Sequence, residues 1–283
     1  MKYRTVVEAD KRADQLAIDP VLVERWLVAF LRDELVRRRR IEKAVVGVSG
    51  GVDSAAVAYL CARALGPKNV LGVRMPYKSS SPQSRRHGLL VVEATGIADV
   101  EIDISAAVDG YLATEPDASA QRRGNVMART RMIVLFDQSA KIGGLPIGTG
   151  NKSERMFGYF TWHGDDSPPI NPLGDLFKTQ VWQLARHLGV PKQIVSKPAT
   201  ADLIRGQTDE EDLGITYELA DRILDRILTG YSSADIIAQG FDAKDVALVE
   251  RKVGATHWKR HLATTAMLSA TAINEFYLRP VDY

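Results

Sequence analysis

The stretch VVGVSGGVDSAAVAYL, residues 45–60, decides the fold of this chain. An apolar run ends in a turn with two adjacent glycines, and a run with helical character follows it. Gly50 and Gly51 let the backbone turn tightly and approach a ligand with no side chain in the way. The free amide groups and the positive dipole end of the following helix favour an anion. The stretch therefore predicts a strand, a phosphate-binding turn and a helix in succession.

The turn SGGVDS differs from the phosphate loop of Walker-type nucleotide-binding proteins. It lacks the Lys-[Ser/Thr] pair that closes such a loop, and Asp53 puts a carboxylate where it would repel phosphate. The carboxylate makes sense if it holds a divalent cation that bridges to the phosphates. Ser49 and Ser54 supply hydroxyl groups on either side. On pattern alone, the alternative is an ordinary glycine-rich β–α turn with Asp53 near the helix N-cap.

Strand-like and helix-like segments alternate through the first half of the chain. Short segments rich in valine or isoleucine are bounded by turn formers at 44–49, 70–76 and 100–104, with a weaker segment at 145–150. This alternation predicts an α/β fold in which a doubly wound parallel sheet has helices on both faces. Ligands of such folds gather at the carboxyl ends of the strands, which is where the turn SGGVDS lies.

The character of the sequence changes at about residue 155. A loop-like stretch with a Pro-Pro pair precedes a helix, and the polar segment 197–213 has little periodicity, which is typical of a mobile cover over an active site. The remainder, to about residue 263, has helical character. We therefore predict a single domain over 1–283, with a core at about 20–200 and a helical C-terminal part at about 201–263.

Composition argues against several classes of protein. The 283 residues are 45% hydrophobic and 25% charged with a net charge of +2, which gives no reason to expect a nucleic-acid partner. The run RRRR at 37–40 closes an amphipathic helix, where cations suit the dipole. Cys61 is the only cysteine, so no internal disulfide can form. The N-terminus lacks a signal-peptide core and no apolar run is long enough to span a bilayer, which favours a cytoplasmic location without membrane contact.

Five motifs in order resemble one enzyme family. SGGVDS is similar to the pyrophosphatase loop of enzymes that cleave ATP to AMP and pyrophosphate. GNVMARTRM (124–132), GTGNKSERMFGYFT (148–161), INPLGDLFKTQVWQLARHLGVP (170–191) and GQTDEEDLGITYELAD (206–221) follow at the expected spacings. Together they resemble the ammonia-dependent NAD synthases over about residues 20–260. The resemblance implies a Rossmann-like fold of the adenine nucleotide alpha hydrolase type.

The resemblance also implies a reaction and its participants. ATP adenylates a carboxylate and releases pyrophosphate, and ammonia then displaces AMP to form an amide. The cofactor is Mg²⁺, ATP is the co-substrate, and deamido-NAD is the favoured carboxylate substrate. The family is homodimeric, with the dinucleotide near the subunit interface. Nothing in the sequence resembles a glutaminase domain, and Cys61 is best explained as a small buried residue, so ammonia is free or comes from a separate partner.

Residue roles carry over from the family position by position. The metal ligands are Asp53 and Glu154, and Glu154 opens a helix after a predicted strand, so it could face Asp53 across the sheet end. No acid–base residue is marked, and Asp53 and Lys178 would act through position and charge. The matching ATP contacts are Gly47, Val48, Ser49, Gly50, Gly51, Val52, Asp53, Ser54, Arg74, Thr149, Lys178 and Thr200. The matching substrate contacts are Asn125, Arg129, Trp162, Pro169, Trp258 and Lys259.

Three positions depart from the family pattern, and all three contact deamido-NAD in the family. Trp162 stands where the family usually has Lys, Pro169 where it has Asp, and Trp258 where it has His. The chain is then either an NAD synthase with different pocket contacts or a relative that amidates a smaller or less charged acid. A sulfur-transferring tRNA enzyme would need further cysteines and a basic surface, whereas this chain has one cysteine and a net charge of +2. A non-catalytic nucleotide-binding protein could lose the metal carboxylates, which this chain retains.

Overall fold

The computed structural model describes residues 16–200, 208–261, 264–269 and 271 of the chain. Four parallel strands form one sheet in the order β3-β2-β1-β4. They are β1 (Lys43–Gly47), β2 (Val70–Arg74), β3 (Ala98–Glu101) and β4 (Gly144–Ile147). Val45 at the centre of β1 pairs with Leu71 on one side and Pro146 on the other. Each strand overlaps one predicted segment, and the predicted parallel α/β sheet is confirmed.

Helices connect the strands and make up most of the remaining described chain. They are α1 (Pro20–Arg32), α2 (Val52–Leu65), α3 (Pro82–Thr95), α4 (Ser105–Leu112), α5 (Ala120–Ile142), α6 (Lys152–Phe157), α7 (Lys178–Leu188), α8 (Lys192–Val195), α9 (Asp209–Leu213), α10 (Tyr217–Leu228), α11 (Ser233–Ala238) and α12 (Ala243–Ala255). Asp33–Arg38 continues α1 as a π-helix, and His257–Arg260 forms a 3₁₀ helix after α12. Within the described residues, no helix is long and apolar enough to cross a membrane.

The side chains of β1 alternate between the two faces of the sheet. Ala44 and Val46 belong to the core that α1, α2 and α7 cover, whereas Val45 packs with Leu135 of α5 on the opposite face. Ala44, Val45 and Val46 are fully buried, and burying one valine side chain contributes about 1.5–3 kcal/mol. Helices therefore cover both faces, as the doubly wound prediction requires.

The C-terminal helices have a core that continues into the α/β part. Tyr217, Ile223 and Leu224 of α10 and Ile236 of α11 are fully buried. They belong to the same apolar cluster as Phe177, which directly precedes α7. The helical C-terminal part therefore packs against an element that starts at the carboxyl edge of the sheet.

The segment 197–213, predicted to be a cover with little periodicity, contains a helix at its C-terminal end. Asp209–Leu213 forms α9 because Thr208 and Glu211 make a capping box: the Thr208 hydroxyl accepts the Glu211 N–H, and the Glu211 carboxylate accepts the Thr208 N–H. Residues 201–207 of the predicted cover, and residues 1–15 of the predicted domain, lie outside the described residues.

The order of the strands reverses between β1 and β4. From β1 the chain moves outward through β2 to β3, and it then returns to the other side of β1 at β4. The turns that follow β1 and β4 therefore lie side by side at the carboxyl edge of the sheet. Open α/β sheets bind their ligands at such a reversal.

Candidate active site

A cavity of about 880 Å³ opens at the strand reversal. Its volume lies in the upper part of the range of about 300–1,000 Å³ that is typical of small-molecule sites. One end, called here the loop end, is lined by Ser49, Gly51, Val52, Asp53, Ser54, Thr149, Glu154 and Lys178. The other, called here the tryptophan end, is lined by Asn125, Arg129, Thr161, Trp162, Trp258 and Lys259.

Gly50 lets the turn after β1 pack against α3. Its φ is +82°, and a Cβ atom there would lie 2.2 Å from the backbone oxygen of Ser84. Gly51 instead faces the cavity, where a Cβ would meet the Ser49 hydroxyl oxygen at 3.4 Å. The Ser54 hydroxyl lies 3.0 Å from the Ser49 hydroxyl and donates to the Gly51 oxygen, also at 3.0 Å. The turn is thus braced by its own hydroxyls and presents bare backbone to the cavity.

Lys178 closes the loop end from the start of α7. Its Nζ lies 2.6 Å from Asp53 Oδ2 and 3.2 Å from Glu154 Oε1, and the Tyr217 ring centroid is 5.3 Å away. Burial alone would lower the pKa of Lys178, but the attraction of Asp53 and Glu154 outweighs it and raises that pKa. The amine is therefore charged, and it places a fixed positive charge beside the turn that lacks a lysine of its own.

The two carboxylates that Lys178 joins could also share a divalent cation. Asp53 and Glu154 lie in the first turns of α2 and α6, which follow the adjacent strands β1 and β4. Burial raises the pKa of Glu154, although Lys178 opposes that shift. In the described part of the chain no group of three or more His, Cys, Asp or Glu side chains could hold a metal ion. Two carboxylates fit Mg²⁺, which is usually held by one or two carboxylates together with phosphate oxygens and water.

Asn151, which is fully buried, connects the two carboxylates. Its Nδ2 donates to Asp53 Oδ1 at 3.0 Å, and its Oδ1 accepts the Glu154 N–H at 2.9 Å. Its own N–H donates to Glu154 Oε2 at 3.1 Å, which completes a capping box at the start of α6. Asn151 is not among the predicted site residues, although the Asn-x-x-Glu spacing before a helix is a capping signal that could have found it.

Aromatic rings and cations meet at the tryptophan end. The Trp162 and Trp258 rings lie edge to face, with centroids 5.4 Å apart and planes at 86°. Arg129 Nη2 donates to the Trp162 carbonyl oxygen at 3.0 Å. Lys259 Nζ donates to two carbonyl oxygens of the turn after α6, each at 2.7 Å, and burial lowers the pKa of Lys259. Both cations thus hold the backbone that carries the aromatic wall.

Most of the predicted site residues line this cavity. At its wall are Ser49, Gly51, Val52, Asp53, Ser54, Asn125, Arg129, Thr149, Glu154, Trp162, Lys178, Thr200, Trp258 and Lys259. The predicted metal ligands Asp53 and Glu154 are therefore joined through Lys178, and the predicted substrate contacts other than Pro169 lie at the tryptophan end. Asn125 is held there by the Thr161 hydroxyl, which donates to its Oδ1 at 3.0 Å.

The remaining predicted contacts are not among the residues that line the cavity. They are Gly47, Val48, Gly50, Arg74 and Pro169. The Val48 N–H continues the strand ladder to the Val73 oxygen at 2.9 Å, and the Arg74 guanidinium binds both oxygens of Asp99 at 2.9 and 2.7 Å. Pro169 is exposed. The roles of Arg74 and Pro169 in ligand binding stay predictions from the resemblance.

Further charged residues of the wall, among them Asp209 and Arg131, were not selected from the sequence. Asp209, at the start of α9, is only 4% exposed and accepts the hydroxyls of Tyr159 and Tyr217 at 3.2 and 3.3 Å. Arg131 Nε donates to the Met75 oxygen at 3.2 Å. The acidic run around Asp209 has no spacing that distinguishes one carboxylate from the next, so only the fold shows which one is buried.

Comparison with known proteins gives the family of this chain. The family model described as NAD synthase matches residues 23–263. The NH(3)-dependent NAD(+) synthetase of Trichlorobacter lovleyi is 48% identical over 270 residues, which cover 95% of this chain and 98% of that protein. The solved structure of NMN synthetase from Francisella tularensis has a TM-score of 0.79 at 32% identity and covers 88% of this chain and 99% of its own. That of NH3-dependent NAD synthetase from Campylobacter jejuni has a TM-score of 0.76 at 26% identity, with coverages of 88% and 100%. The chain belongs to the NAD synthase family.

Proposed function

We propose that this chain makes NAD from deamido-NAD and ammonia and cleaves ATP to AMP and pyrophosphate. The observation that carries the proposal is the cluster of Asp53, Lys178 and Glu154 beside the glycine turn at the strand reversal. The names of the NAD synthetases to which the chain is similar support the same reaction.

The loop end suits a triphosphate with Mg²⁺. When bound, Mg²⁺ would be held by Asp53 and Glu154 and would neutralise charge on the phosphates. Gly51 leaves room for a phosphate against the backbone, and the N-terminus of α2 favours an anion. The Lys178 ammonium adds fixed positive charge beside the same carboxylates. Charge fixed in advance where the leaving group becomes negative is a large source of catalysis.

The tryptophan end suits a substrate with a carboxylate on a flat ring. Trp162 offers a face for ring stacking, and Arg129 adds positive charge. The carboxylate oxygen attacks the α-phosphorus of ATP and pyrophosphate leaves. Ammonia then attacks the acyl carbon, and AMP leaves with the bonding electrons. Cys61, the only cysteine, is fully buried, so ammonia would come from solution or from a separate protein.

One assay tests the reaction. The protein is incubated with ATP, Mg²⁺, ammonium and deamido-NAD, and AMP, pyrophosphate and NAD are quantified. Equal amounts of the three products are expected. Asp53→Ala should abolish pyrophosphate release because the Mg²⁺ that neutralises the phosphates loses one of its two carboxylate ligands. Asp175→Ala, which removes a carboxylate that is 97% exposed, is the matched control and should leave the rate unchanged. Pyrophosphate release by Asp53→Ala at the wild-type rate would contradict the metal role.

A second candidate is amidation of the mononucleotide acid that corresponds to NMN. The similarity to NMN synthetase from F. tularensis supports it, and so does the edge-to-face pair of Trp162 and Trp258. Apolar rings in place of polar side chains leave fewer partners for the phosphates of a dinucleotide. With both acids in the assay, a higher kcat/KM for the mononucleotide would replace the first proposal with the second. No amide from either acid would refute both.

A second copy of the chain would cover the exposed face of α5 in the homodimer that the family resemblance implies. Ile133 and Phe136 lie one turn apart on that helix and are 70% and 42% exposed. Light scattering should therefore give twice the chain mass, and Ile133→Asp should give a monomer. Leu228→Asp, on the 48% exposed Leu228 of α10, is the matched control and should stay dimeric. A monomeric wild type would contradict this assignment.

A further inference from the structure

A buried carboxylate outside the cavity joins three helices behind the loop end. Asp221 of α10 is fully buried. Its Oδ1 accepts the Ser153 hydroxyl at 2.5 Å, and its Oδ2 accepts the Thr179 N–H at 2.9 Å and the Thr179 hydroxyl at 2.8 Å. The side chain of Asp221 therefore connects α10 to α6 and to the first turn of α7.

The partners of Asp221 are the chain neighbours of the two charged residues at the loop end. Ser153 directly precedes Glu154 on α6, and Thr179 directly follows Lys178 on α7. The Ser153 oxygen also accepts the Lys178 N–H at 2.9 Å, which closes a network from α6 through α10 to α7. Fixing these backbones fixes the points from which the Lys178 side chain reaches Asp53 and Glu154.

Packing alone gives no reason for a carboxylate at this position. Ile223 and Leu224 of the same helix belong to a buried apolar core, and an apolar side chain of similar volume in place of Asp221 would avoid the desolvation of a charge. Burial raises the pKa of Asp221 to about 6, although the hydrogen bonds from Ser153 and Thr179 oppose that shift. The position thus carries a desolvation cost, and what the carboxylate contributes in return is three directed hydrogen bonds.

We propose that Asp221 is a positioning residue for the amidation reaction: through Ser153 and Thr179 it holds Lys178 and Glu154 in register with Asp53. The inference rests on the proposed function. Because Asp221 does not touch the cavity, its loss acts only through the geometry of the loop end. Supporting residues of this kind typically change activity by about 10–100-fold, since small displacements of reacting or charge-stabilising groups are costly.

The experiment compares Asp221→Asn and Asp221→Ala with Leu224→Ala. Leu224 lies on the same helix and is also fully buried, so its truncation reports loss of stability without loss of the hydrogen bonds. The melting temperature, kcat and the KM values for ATP and the acid are measured well below the melting temperature of the least stable variant. Both Asp221 variants should lower kcat by about 10–100-fold with little change in KM for the acid. Leu224→Ala should lower the melting temperature and leave kcat within about twofold.

A second readout separates this inference from the proposed function. The affinity for Mg²⁺ and a non-hydrolysable ATP analogue is measured for every variant, because it needs no acid substrate. A wild type that binds the analogue but makes no amide would refute the proposed function. Even then, weaker analogue binding by the Asp221 variants than by the wild type and Leu224→Ala would support the positioning role. If Asp221→Ala does not fold, Thr179→Val and Ser153→Ala, which each remove one partner, take its place. The positioning role is overturned if the Asp221 variants match Leu224→Ala in both kcat and analogue affinity.

Discussion

Substitution by alanine should have different effects at the two adjacent glycines of the turn: at Gly50 it should lower stability, and at Gly51 it should weaken ATP binding. An alanine at Gly50 must adopt a φ of +82°, which costs about 1–2 kcal/mol for a residue with a Cβ. Its Cβ would also lie 2.2 Å from the Ser84 oxygen and 3.0 Å from the Gly88 nitrogen. Both are backbone atoms, so α3 has to move, and overpacking of this kind costs about 1–3 kcal/mol. Gly50→Ala should therefore destabilise the fold by about 2–5 kcal/mol.

Gly51→Ala should leave stability intact and weaken ATP binding. Gly51 has a φ of −93° and a ψ of 163°, which alanine adopts without strain, and the new Cβ would contact the Ser49 hydroxyl oxygen at an ordinary 3.4 Å. The methyl group would stand at the cavity wall where phosphate approaches the backbone. We expect KM for ATP to rise about tenfold or more, which corresponds to a loss of about 1.4 kcal/mol of binding free energy.

Thermal unfolding with and without Mg²⁺ and an ATP analogue separates the two glycines. Without ligand, Gly50→Ala should unfold about 4–20 °C below the wild type, given about 2–4 °C per kcal/mol for domains of about 150–250 residues. Gly51→Ala should unfold near the wild-type temperature, and the analogue should stabilise it less than it stabilises the wild type. A wild-type melting temperature for Gly50→Ala, or full stabilisation of Gly51→Ala by the analogue, would contradict the description of the turn.

Further predictions concern the buried cation and the thiol. Lys178→Gln should lower the free energy of unfolding by about 3–5 kcal/mol because it leaves two carboxylates facing each other, and Mg²⁺ should then raise its melting temperature more than that of the wild type. Equal Mg²⁺ responses in differential scanning fluorimetry would contradict the shared cation position. Burial raises the pKa of Cys61 to about 12, so the thiol stays protonated at pH 8. It should react with a disulfide reagent only after the protein is unfolded in guanidinium. Rapid reaction of the native protein would contradict the burial of Cys61.

The sheet and the position of the site could be predicted because their signals are local. A Val-rich run before SGGVDS and the alternation of strands with helices suffice for a parallel sheet and a site at its carboxyl edge. The α9 helix was missed because its evidence, a capping box in a short acidic run, carries no hydrophobic periodicity. Lys178 could be assigned a role only through the resemblance, because it lies 125 positions from Asp53 and on a helix whose pattern alone suggests a solvated lysine.

Asn151 and Asp221 were missed for a different reason. Asn151 binds the charged residues Asp53 and Glu154 directly, whereas Asp221 binds Ser153 and Thr179, the chain neighbours of Glu154 and Lys178. The Asn-x-x-Glu spacing signals only a helix cap, and no sequence spacing connects Asp53 to Asn151 or Ser153 to Asp221. Such partners are set by how the helices pack. The charged residues of the loop end can therefore be proposed from motifs, whereas the hydrogen bonds that orient them become visible only in the fold.

The two ends of the cavity are held by different elements, which makes their contributions separable. Hydrogen bonds among α2, α6, α7 and α10 fix the loop end, whereas Arg129 of α5 and Lys259 of the C-terminal 3₁₀ helix fix the backbone beside Trp162. Trp258→Ala should raise KM for the acid by about two- to tenfold through lost stacking, and Asp221→Asn should lower kcat. In the double variant the two effects on kcat/KM should add to within about 0.3–0.5 kcal/mol, as expected for independent sites. A larger coupling energy would mean that the tryptophan end also sets the geometry of the phosphates. In that case, changes at the tryptophan end alone could not adapt the same ATP chemistry to a new acid.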